Sequence, residues 1–432
     1  MASLRSSYLY DSVRTPFGKV GGALASVRPD DLAALVVRSS VDRAPALSGL
    51  LPGSPDTQGN GLDTDLTRID EVVFGNANGA GEENRNVARM ASLLAGLPTS
   101  VPGTTVNRLC GSSLDAAIIG SRQIEVGEAD VILAGGVESM SRAPWVLPKT
   151  ETPFPLRGLE LANTTLGWRL LNAHMPAEWT VSLGEATEQL RERFTITRER
   201  QDEFAASSHR KAAQAWDQGR YDELTISVPG VDLTRDETIR PESTAEGLAG
   251  LRTVFRTENG TVTAGNSSPM NDGAAAVWLG SARGADVLGL EPIARIAGRG
   301  VAAVEPQYFG YAPVDAADRA LARAGVTWSE VAAVELNEAF AAQSLTCLDA
   351  WDVDPEIVNA WGGALAIGHP LGASGARILG TLARRLQESG GRWGVAVLCI
   401  GVGQGLAVVL ESVGTDRAGP RPQHTEARRN HD

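Results

Sequence analysis

Cysteines and long apolar runs are scarce in this sequence of 432 residues. The three cysteines, Cys110, Cys347 and Cys399, are too few and too far apart for a disulfide framework or a cluster of metal ligands. No stretch approaches the roughly 18 apolar residues of a membrane-spanning helix, and the N-terminus lacks the apolar core of a signal peptide. We therefore expect a cytoplasmic protein whose cysteines are free thiols.

Positive charge is also in short supply. The chain carries 39 Lys and Arg against 52 Asp and Glu, a net charge of -13, and has no block rich in Lys and Arg. This balance argues against nucleic acid or an anionic membrane as the main partner. The composition, 43% hydrophobic and 21% charged, is typical of a globular protein, and the length favours two or three domains.

The most distinctive segment, Gly362–Arg377, is rich in glycine and contains one histidine. Glycine adopts positive φ at little cost, so this backbone is expected to bend tightly around a ligand or a reacting atom. Apolar residues at helical spacing after Ser374 predict a helix, which places His369 just before a helix N-terminus, where backbone N–H groups meet negative charge. A structural loop whose histidine only satisfies a neighbour is the alternative.

Strands and helices alternate in the first part of the chain and predict a parallel α/β sheet. A short strand at Thr104–Val106 leads into the Cys110 junction, a helix to about Glu125 and the apolar strand Val131–Ala134. A second half beginning near Pro292 repeats this order, with Val358 and Asn359, a glycine-rich junction, a helix and the strand Val395–Cys399. We therefore predict a duplicated α/β fold.

The predicted domain boundaries follow from this duplication. The first half covers residues 1–288 and the second covers residues 289–414. A charged helical and loop subdomain is inserted at about 142–250, and residues 44–68 form an exposed insertion without periodicity. Residues 415–432 form a loose tail.

Two cysteines and one asparagine occupy positions suited to chemistry. Cys110 lies between a strand and a helix, where the helix dipole and free N–H groups would lower the pKa of its thiol. Cys399 ends an apolar strand and Asn337 follows another, and ligands of parallel sheets meet the carboxyl ends of strands. The alternatives are buried structural thiols for both cysteines and a helix cap for Asn337; Cys347 is predicted to lie in the core.

Six motifs in one order resemble those of the thiolase family, the acetyl-CoA C-acyltransferases, from Tyr8 to Glu411. These motifs are Val106–Ser113, Gly135–Ser141, Val262–Ser268, Asn337–Phe340, Gly368–Gly372 and Cys399–Gly405. The resemblance implies an α/β fold of two mixed-sheet halves in layered αβαβα arrangement. It also implies coenzyme A as a co-substrate, no metal or permanently bound cofactor, and a homodimer or homotetramer.

The resemblance implies a role for each matched residue. Cys110 would attack the substrate carbonyl and carry the acyl group, and His369 would favour the Cys110 thiolate. Asn337 would hold a water that forms an oxyanion site with His369, and the N–H groups of Cys110 and Gly401 would form a second one. Cys399 would be the general acid and base. Ala264 and Ser268 would contact the pantetheine arm of CoA.

Several details bear on the substrate and on the alternatives. The segment Arg142–Trp145 looks more like degradative thiolases, acting on β-ketoadipyl-CoA or on a broad range of 3-ketoacyl-CoA, than like biosynthetic acetoacetyl-CoA enzymes. Trp168, His174 and neighbouring residues do not match the histidine and methionine pattern of the biosynthetic enzymes, and Ser113 stands where many members carry glycine. A ketoacyl synthase is disfavoured by Cys399. A thiolase-like lipid carrier is disfavoured because all four chemical side chains are present.

Overall fold

The computed structural model describes residues 4–47, 49–51, 69–156 and 158–414. The strands are β1 (Tyr8–Arg14), β2 (Gly18–Lys19), β3 (Glu71–Gly75), β4 (Gly103–Val106), β5 (Val131–Ser139), β6 (Trp145–Val146), β7 (Ala162–Asn163), β8 (Asn271–Gly280), β9 (Ala294–Ala303), β10 (Val331–Leu336), β11 (Trp393–Ile400) and β12 (Gln404–Ser412). The helices are α1 (Pro29–Asp42), α2 (Val87–Ala95), α3 (Ser112–Val126), α4 (Leu183–Arg193), α5 (Arg198–Asp217), α6 (Ala245–Ala249), α7 (Gly284–Leu288), α8 (Ala312–Ala324), α9 (Ala341–Trp351), α10 (Ala364–Ile367) and α11 (Leu371–Ser389).

The strand order is the same in the two halves of the chain. In the first half β3 pairs in parallel with β5. β5 then pairs antiparallel with β8, and β8 pairs antiparallel with β1. In the second half β10 pairs in parallel with β11. β11 then pairs antiparallel with β12, and β12 pairs antiparallel with β9. β4 lies parallel to β3, and Val358 bridges to Val334 of β10 in the corresponding place. This repetition confirms the predicted duplication.

The halves meet edge to edge where Leu9 of β1 pairs with Ala294 of β9, so the sheet continues from one half into the other. The parallel sheet predicted for the first half is incorrect in one respect. β8 returns from the inserted segment and runs antiparallel to both of its neighbours, β5 and β1. Each half therefore has the mixed sheet that the thiolase resemblance implies.

Side chains alternate along the central strands between an inner and an outer cluster. One face of β8 packs with α3 and α11 through Ala275, Val277 and Leu279. The other face packs with α1 through Ala274, Ala276 and Trp278. β11 alternates in the same way between α11 and α8. The order α, β, α, β, α results, with α3 and α11 as the middle layer, and confirms the predicted layering.

Glycines allow the middle helices to approach the strands closely. A Cβ on Gly136 of β5 would lie 2.0 Å from the carbonyl oxygen of Gly372 in α11, and a Cβ on Gly75 would lie 2.3 Å from Ser113 N in α3. The two helices also touch each other, because a Cβ on Gly375 would lie 2.2 Å from Leu114 N. The first turns of α3 and α11 are therefore fixed against the sheet and against each other.

The insertion predicted at 44–68 is exposed at Pro45 and Gly49, but three of its apolar side chains are buried. Ala44 and Leu47 are fully or almost fully buried and Leu51 is buried, because they join the core cluster of α1. Most of the remainder, residue 48 and residues 52–68, lies outside the described residues, as does the predicted tail at 415–432. No helix within the described ranges combines the length and apolarity needed to cross a membrane.

The chain between β5 and β8, residues 140–270, contains α4, α5 and α6, and it contacts the first half before β8, where Thr225 bridges to Arg14 and Asp236 pairs with Arg14. α4 and α5 contact α9, and α5 also contacts α10, so these two helices lie against the second half. The segment thereby brings its loops over the turns that follow β10 and β11.

Substitution of Gly136 by Ala is expected to destabilise the fold by about 1–3 kcal/mol or more, because the new methyl group would overlap the Gly372 carbonyl. Gly158→Ala is the matched control, since a Cβ there meets no atom within 4 Å. Chemical denaturation of both variants measures the difference. Equal stabilities of the two variants would contradict the close contact between β5 and α11.

Candidate active site

Cys110 lies on a sharp turn between β4 and α3, as the sequence predicts. Leu109 has a positive φ of 48°, which an ordinary side chain rarely adopts, and its N–H is bonded to Asn107 Oδ1 at 3.0 Å. The neighbouring Arg108 bonds Asp115 of α3 at 2.7 Å and Gln404 of β12 at 3.0 Å. The turn that carries Cys110 is therefore anchored to both halves.

The Cys110 thiol has the opposite pKa shift to the predicted one. Burial raises its pKa to about 11, while the N–H groups of Gly401 and of Cys110 itself pull the value down by a smaller amount. The predicted lowering at a helix N-terminus is thus wrong for the free site. Desolvation of the charged form outweighs the favourable backbone dipoles, so Cys110 rests as a thiol at neutral pH.

His369 lies at the predicted place, two residues before α11, and is 5% exposed. Its backbone N–H bonds Asn271 Oδ1 at 3.0 Å, and the preceding Gly368 has φ of 109° and no room for a side chain beside Asn271. Burial and the nearby charge of Arg377 lower the pKa of the imidazole to about 3. His369 is therefore neutral at physiological pH.

The hydrogen bonds of Ser374 assign the tautomer of His369. The Ser374 hydroxyl donates to the Pro370 carbonyl at 2.9 Å, so it accepts a bond from His369 Nδ1–H at 2.7 Å. The proton on Nδ1 leaves a lone pair on Nε2, which lies 3.4 Å from Asn337 Nδ2. His369 thus presents a proton acceptor on the side of Asn337.

Asn337 follows β10 directly and is fully buried. It does not cap α9, whose N-cap is Phe340. The adjoining Glu338 fixes this turn by accepting bonds from Asn359 Nδ2 and Ser208 Oγ, each at 2.7 Å. Asn337 Oδ1 accepts no bond from any described residue, so the amide keeps an uncommitted acceptor beside His369.

Cys399 occupies the penultimate position of β11 and is 1% exposed. Burial raises the pKa of its thiol well above the ordinary value, and the next cause is the charge that Cys110 would carry. The two thiols are therefore close enough for the charge of one to raise the pKa of the other. Cys347, by contrast, lies in α9, fully buried with Gln343 and Gly310 as partners, as a core residue should.

Gly401 lies in the turn between β11 and β12 and directs its N–H to the Cys110 sulfur. A Cβ at this position would lie 3.1 Å from the Trp168 ring and 3.5 Å from Leu109. Trp168 is itself held by a bond from Nε1 to the Val181 carbonyl at 3.1 Å. The inserted segment therefore reaches the reacting centre through Trp168.

The two predicted CoA contacts lie on a loop beside Asn337. Ser268 N bonds the Ala339 carbonyl at 3.0 Å, and Ala264 is exposed at the opposite end of this loop. Asn266 holds the loop closed by accepting a bond from Thr263 N at 2.8 Å and donating to Asp202 at 3.0 Å.

A cavity of ≈ 80 Å³ opens from Cys110 and Gly401 toward the inserted segment. Five of its lining side chains are apolar and large: Leu109, Leu166, Trp168, Leu183 and Leu371. Two are charged: Glu138 and Arg169. His369, Asn337, Cys399, Ala264 and Ser268 are not part of this lining.

Glu138 is a site residue that sequence reasoning missed. It is 2% exposed at the end of β5 and accepts backbone bonds from Ala77 at 2.9 Å, Asn78 at 3.1 Å and Gly372 at 2.9 Å. Burial raises its pKa to about 7. The available signal was a single acidic residue at the end of an otherwise apolar strand, which predicts a carboxylate with a specific partner.

Within the described part of the chain, no group of three or more His, Cys, Asp or Glu side chains is arranged to hold a metal ion. The structure instead pairs the thiol of Cys110 with that of Cys399, and the imidazole of His369 with the amide of Asn337. This set suits covalent acyl transfer with proton movement between sulfur and nitrogen.

Both halves of the chain match known protein families. Residues 58–283 match the family model for the thiolase N-terminal domain, and residues 290–412 match that for the thiolase C-terminal domain. The chain is 46% identical over 420 residues to the 3-oxoadipyl-CoA/3-oxo-5,6-dehydrosuberyl-CoA thiolase of Escherichia coli strain K12, covering 95% of this chain and 100% of that protein. It is 45% identical over 419 residues to the beta-ketoadipyl-CoA thiolase of Pseudomonas putida, with the same coverage.

Solved structures agree with this match. The acetyl-CoA acetyltransferase of Bacillus anthracis superposes with a TM-score of 0.84 at 36% identity, covering 96% of this chain and 100% of that one. Human mitochondrial 3-ketoacyl-CoA thiolase gives a TM-score of 0.84 at 34% identity, with 95% and 100% coverage.

The imidazole of His369 is expected to stay neutral, with its proton on Nδ1, from pH 8 down to about pH 5. The folded pKa lies below the unfolded one, so this group lowers the stability of the fold as pH falls below about 6.5. Two-dimensional NMR of ¹⁵N-histidine-labelled protein measures the titration, and a His369→Asn variant assigns the signal. The same protein unfolded in urea is the control. A folded-state midpoint near 6.5 would contradict the buried neutral site.

Proposed function

Because the chain belongs to the thiolase family, we propose that it cleaves a 3-oxoacyl-CoA with CoA to give acetyl-CoA and a shortened acyl-CoA, through an acyl group on Cys110. Two observations support this proposal: the buried thiol of Cys110 interacts with that of Cys399 and with the N–H of Gly401, and neutral His369 pairs with Asn337. The cysteines come from different halves of the chain, and neither has a disulfide partner among the described residues.

In the first half-reaction the Cys110 sulfur attacks the ketone carbon of the 3-oxoacyl chain. The thiol proton passes to His369 Nε2. This nitrogen has a free lone pair because the ring proton is on Nδ1, which donates a hydrogen bond to Ser374. A water held by Asn337, together with the protonated His369, stabilises the oxyanion. The bond between C2 and C3 then breaks, and its electron pair leaves on the acetyl-CoA enolate.

Cys399 supplies the proton that completes acetyl-CoA, because its raised pKa suits a thiol that donates to a carbanion. In the second half-reaction the Cys399 thiolate takes the proton of the incoming CoA thiol. The CoA sulfur attacks the Cys110 thioester, whose oxyanion lies against the N–H groups of Cys110 and Gly401. Cys110 leaves as the thiolate and recovers its proton from His369. The reaction is reversible and follows ping-pong kinetics.

We propose 3-oxoadipyl-CoA as the preferred substrate within this reaction. The support is that the relatives at 43% to 46% identity are named for 3-oxoadipyl-CoA or beta-ketoadipyl-CoA. A broader 3-ketoacyl-CoA activity, as in β-oxidation, is the second candidate, since a 3-ketoacyl-CoA thiolase of Idiomarina loihiensis matches at 40% identity. Condensation of two acetyl-CoA molecules is the third.

We propose that Ala264 and Ser268 contact the pantetheine arm of CoA. The support is that their loop lies against Ala339, next to Asn337, while Ala264 remains open to a ligand. An arm laid along this loop would bring its sulfur toward Cys399, which packs in the same apolar cluster as Ala339 and Phe340. We also propose that the boundary between the two halves lies between residues 288 and 289.

We also propose a homodimer or homotetramer, located in the cytoplasm because CoA thioesters are intracellular metabolites. Two features support self-association. Large apolar side chains of the inserted segment are exposed, with Trp145 at 69%, Phe154 at 88% and Leu156 at 103%. β4 lies at the edge of the sheet and has β3 as its one strand partner among the described residues.

A thiolysis assay tests the proposed reaction. The protein is mixed with CoA and one of four substrates, and the loss of 3-oxoacyl thioester absorbance is followed. The substrates are acetoacetyl-CoA, 3-oxohexanoyl-CoA, 3-oxopalmitoyl-CoA and 3-oxoadipyl-CoA. Cys110→Ala is expected to lower kcat by about 10³-fold or more, because no nucleophile remains. Cys399→Ala is expected to lower kcat by about 10²–10⁴-fold, because proton transfer is lost. Cys347→Ala is the matched control and keeps the wild-type kcat.

Cleavage of none of the four substrates by the wild type would overturn the proposed function. Activity of Cys110→Ala at the level of Cys347→Ala would overturn the assignment of the nucleophile.

A further inference from the structure

Arg169 is the one cationic side chain among the residues that line the cavity beside Cys110. It belongs to the inserted segment and follows Trp168, whose ring lies close to Gly401. The backbone bends with positive φ on either side of this pair, at Gly167 (81°) and Leu170 (52°). The bond from Trp168 Nε1 to the Val181 carbonyl at 3.1 Å anchors the residue that precedes Arg169, and Arg169 and Cys110 line the same cavity.

The Arg169 guanidinium has only weak contacts with neutral acceptors. Its Nη1 donates to the Thr164 carbonyl at 3.4 Å, and its Nη2 donates to Asn78 at 3.4 Å (backbone O) and 3.3 Å (Oδ1). All three distances are at the long end of hydrogen bonding. No carboxylate of the described residues forms an ion pair with Arg169, whereas Arg256 pairs with both Glu185 and Glu192.

The other charged residue of the cavity, Glu138, is not a partner for Arg169. Its oxygens accept bonds from the backbone N–H groups of Ala77, Asn78 and Gly372. Glu138 and Arg169 thus bind the same residue through different atoms. Glu138 accepts a bond from the Asn78 N–H, whereas Arg169 donates to the Asn78 carbonyl and side-chain oxygens. The guanidinium keeps donors for a further acceptor, since it has five N–H groups and the contacts with Thr164 and Asn78 engage only Nη1 and Nη2.

We propose that Arg169 binds the terminal carboxylate of a dicarboxylic 3-oxoacyl-CoA and so determines the specificity of this thiolase; this inference rests on the proposed function. The acyl chain attached to Cys110 enters the cavity that Arg169 lines. An arginine meets a carboxylate through two parallel N–H bonds, an arrangement that fixes direction as well as charge. The large apolar side chains along the cavity suit the methylene groups between the thioester and the carboxylate.

The selectivity follows from desolvation. A carboxylate that enters an apolar cavity loses water, and its binding is favourable only if an opposite charge with hydrogen bonds replaces that water. A chain that ends in a methyl group gains nothing from the guanidinium. Arg169 therefore acts on the choice between substrates rather than on the chemistry at Cys110.

Steady-state kinetics with 3-oxoadipyl-CoA and 3-oxohexanoyl-CoA test the inference, because these substrates have equal carbon numbers and differ in the terminal carboxylate. In Arg169→Gln, the ratio of kcat/KM for 3-oxoadipyl-CoA to that for 3-oxohexanoyl-CoA is expected to fall by about 100-fold. Arg169→Lys should recover part of this ratio, since it keeps the charge and loses the planar fork. Arg252→Gln, which removes an exposed charge from the same segment, should keep the wild-type ratio.

Each other outcome has a distinct meaning. An equal fall with both substrates in Arg169→Gln would show a structural role for this side chain and overturn the inference. A wild type that cleaves 3-oxohexanoyl-CoA but not 3-oxoadipyl-CoA would also overturn it, while leaving the thiolase reaction intact. A wild type that cleaves no 3-oxoacyl-CoA would overturn the proposed function itself.

Discussion

The packing of α3 and α11 between the two sheet halves is the constraint on which the site depends. Each helix begins at a reacting segment, since α3 starts two residues after Cys110 and α11 starts two residues after His369. Glycine contacts set the depth of both helices, and the buried Glu335 of β10 holds α11 through Arg385 at 2.8 Å. Chemical groups from distant parts of the chain therefore meet because the helices cannot shift independently.

Burial decides the protonation states at this junction. Desolvation raises the pKa of both cysteines and lowers that of His369, so the three groups are neutral together at rest. In the proposed reaction, the neutral imidazole of His369 would accept the Cys110 proton as the sulfur forms its bond. Cys110 would then not be a permanent thiolate, and negative charge would develop beside the N–H groups of Cys110 and Gly401.

The sequence predicts the duplicated fold and the placement of Cys110, Asn337, His369 and Cys399, because each lies at the junction of a strongly patterned strand or helix. It misses features that depend on tertiary contact. β8 runs antiparallel to β5 and β1, and 131 residues separate it from β5 along the chain. The sequence of this intervening segment does not indicate the direction in which β8 joins the sheet. The contacts of Glu138 and Arg169 with Asn78 join distant parts of the chain, and the pKa of Cys110 depends on burial, which local position does not reveal.

Mass spectrometric mapping of the acyl-enzyme shows which cysteine carries the acyl group. Wild-type protein is mixed with 3-oxoadipyl-CoA in the absence of CoA, quenched with acid and digested, and each cysteine peptide is examined for a succinyl group. Succinylation of Cys110 alone is expected, with one acetyl-CoA released per modified chain, and the group should be removed when CoA is added. Succinylation of Cys399 instead, or turnover without any modified cysteine, would contradict it.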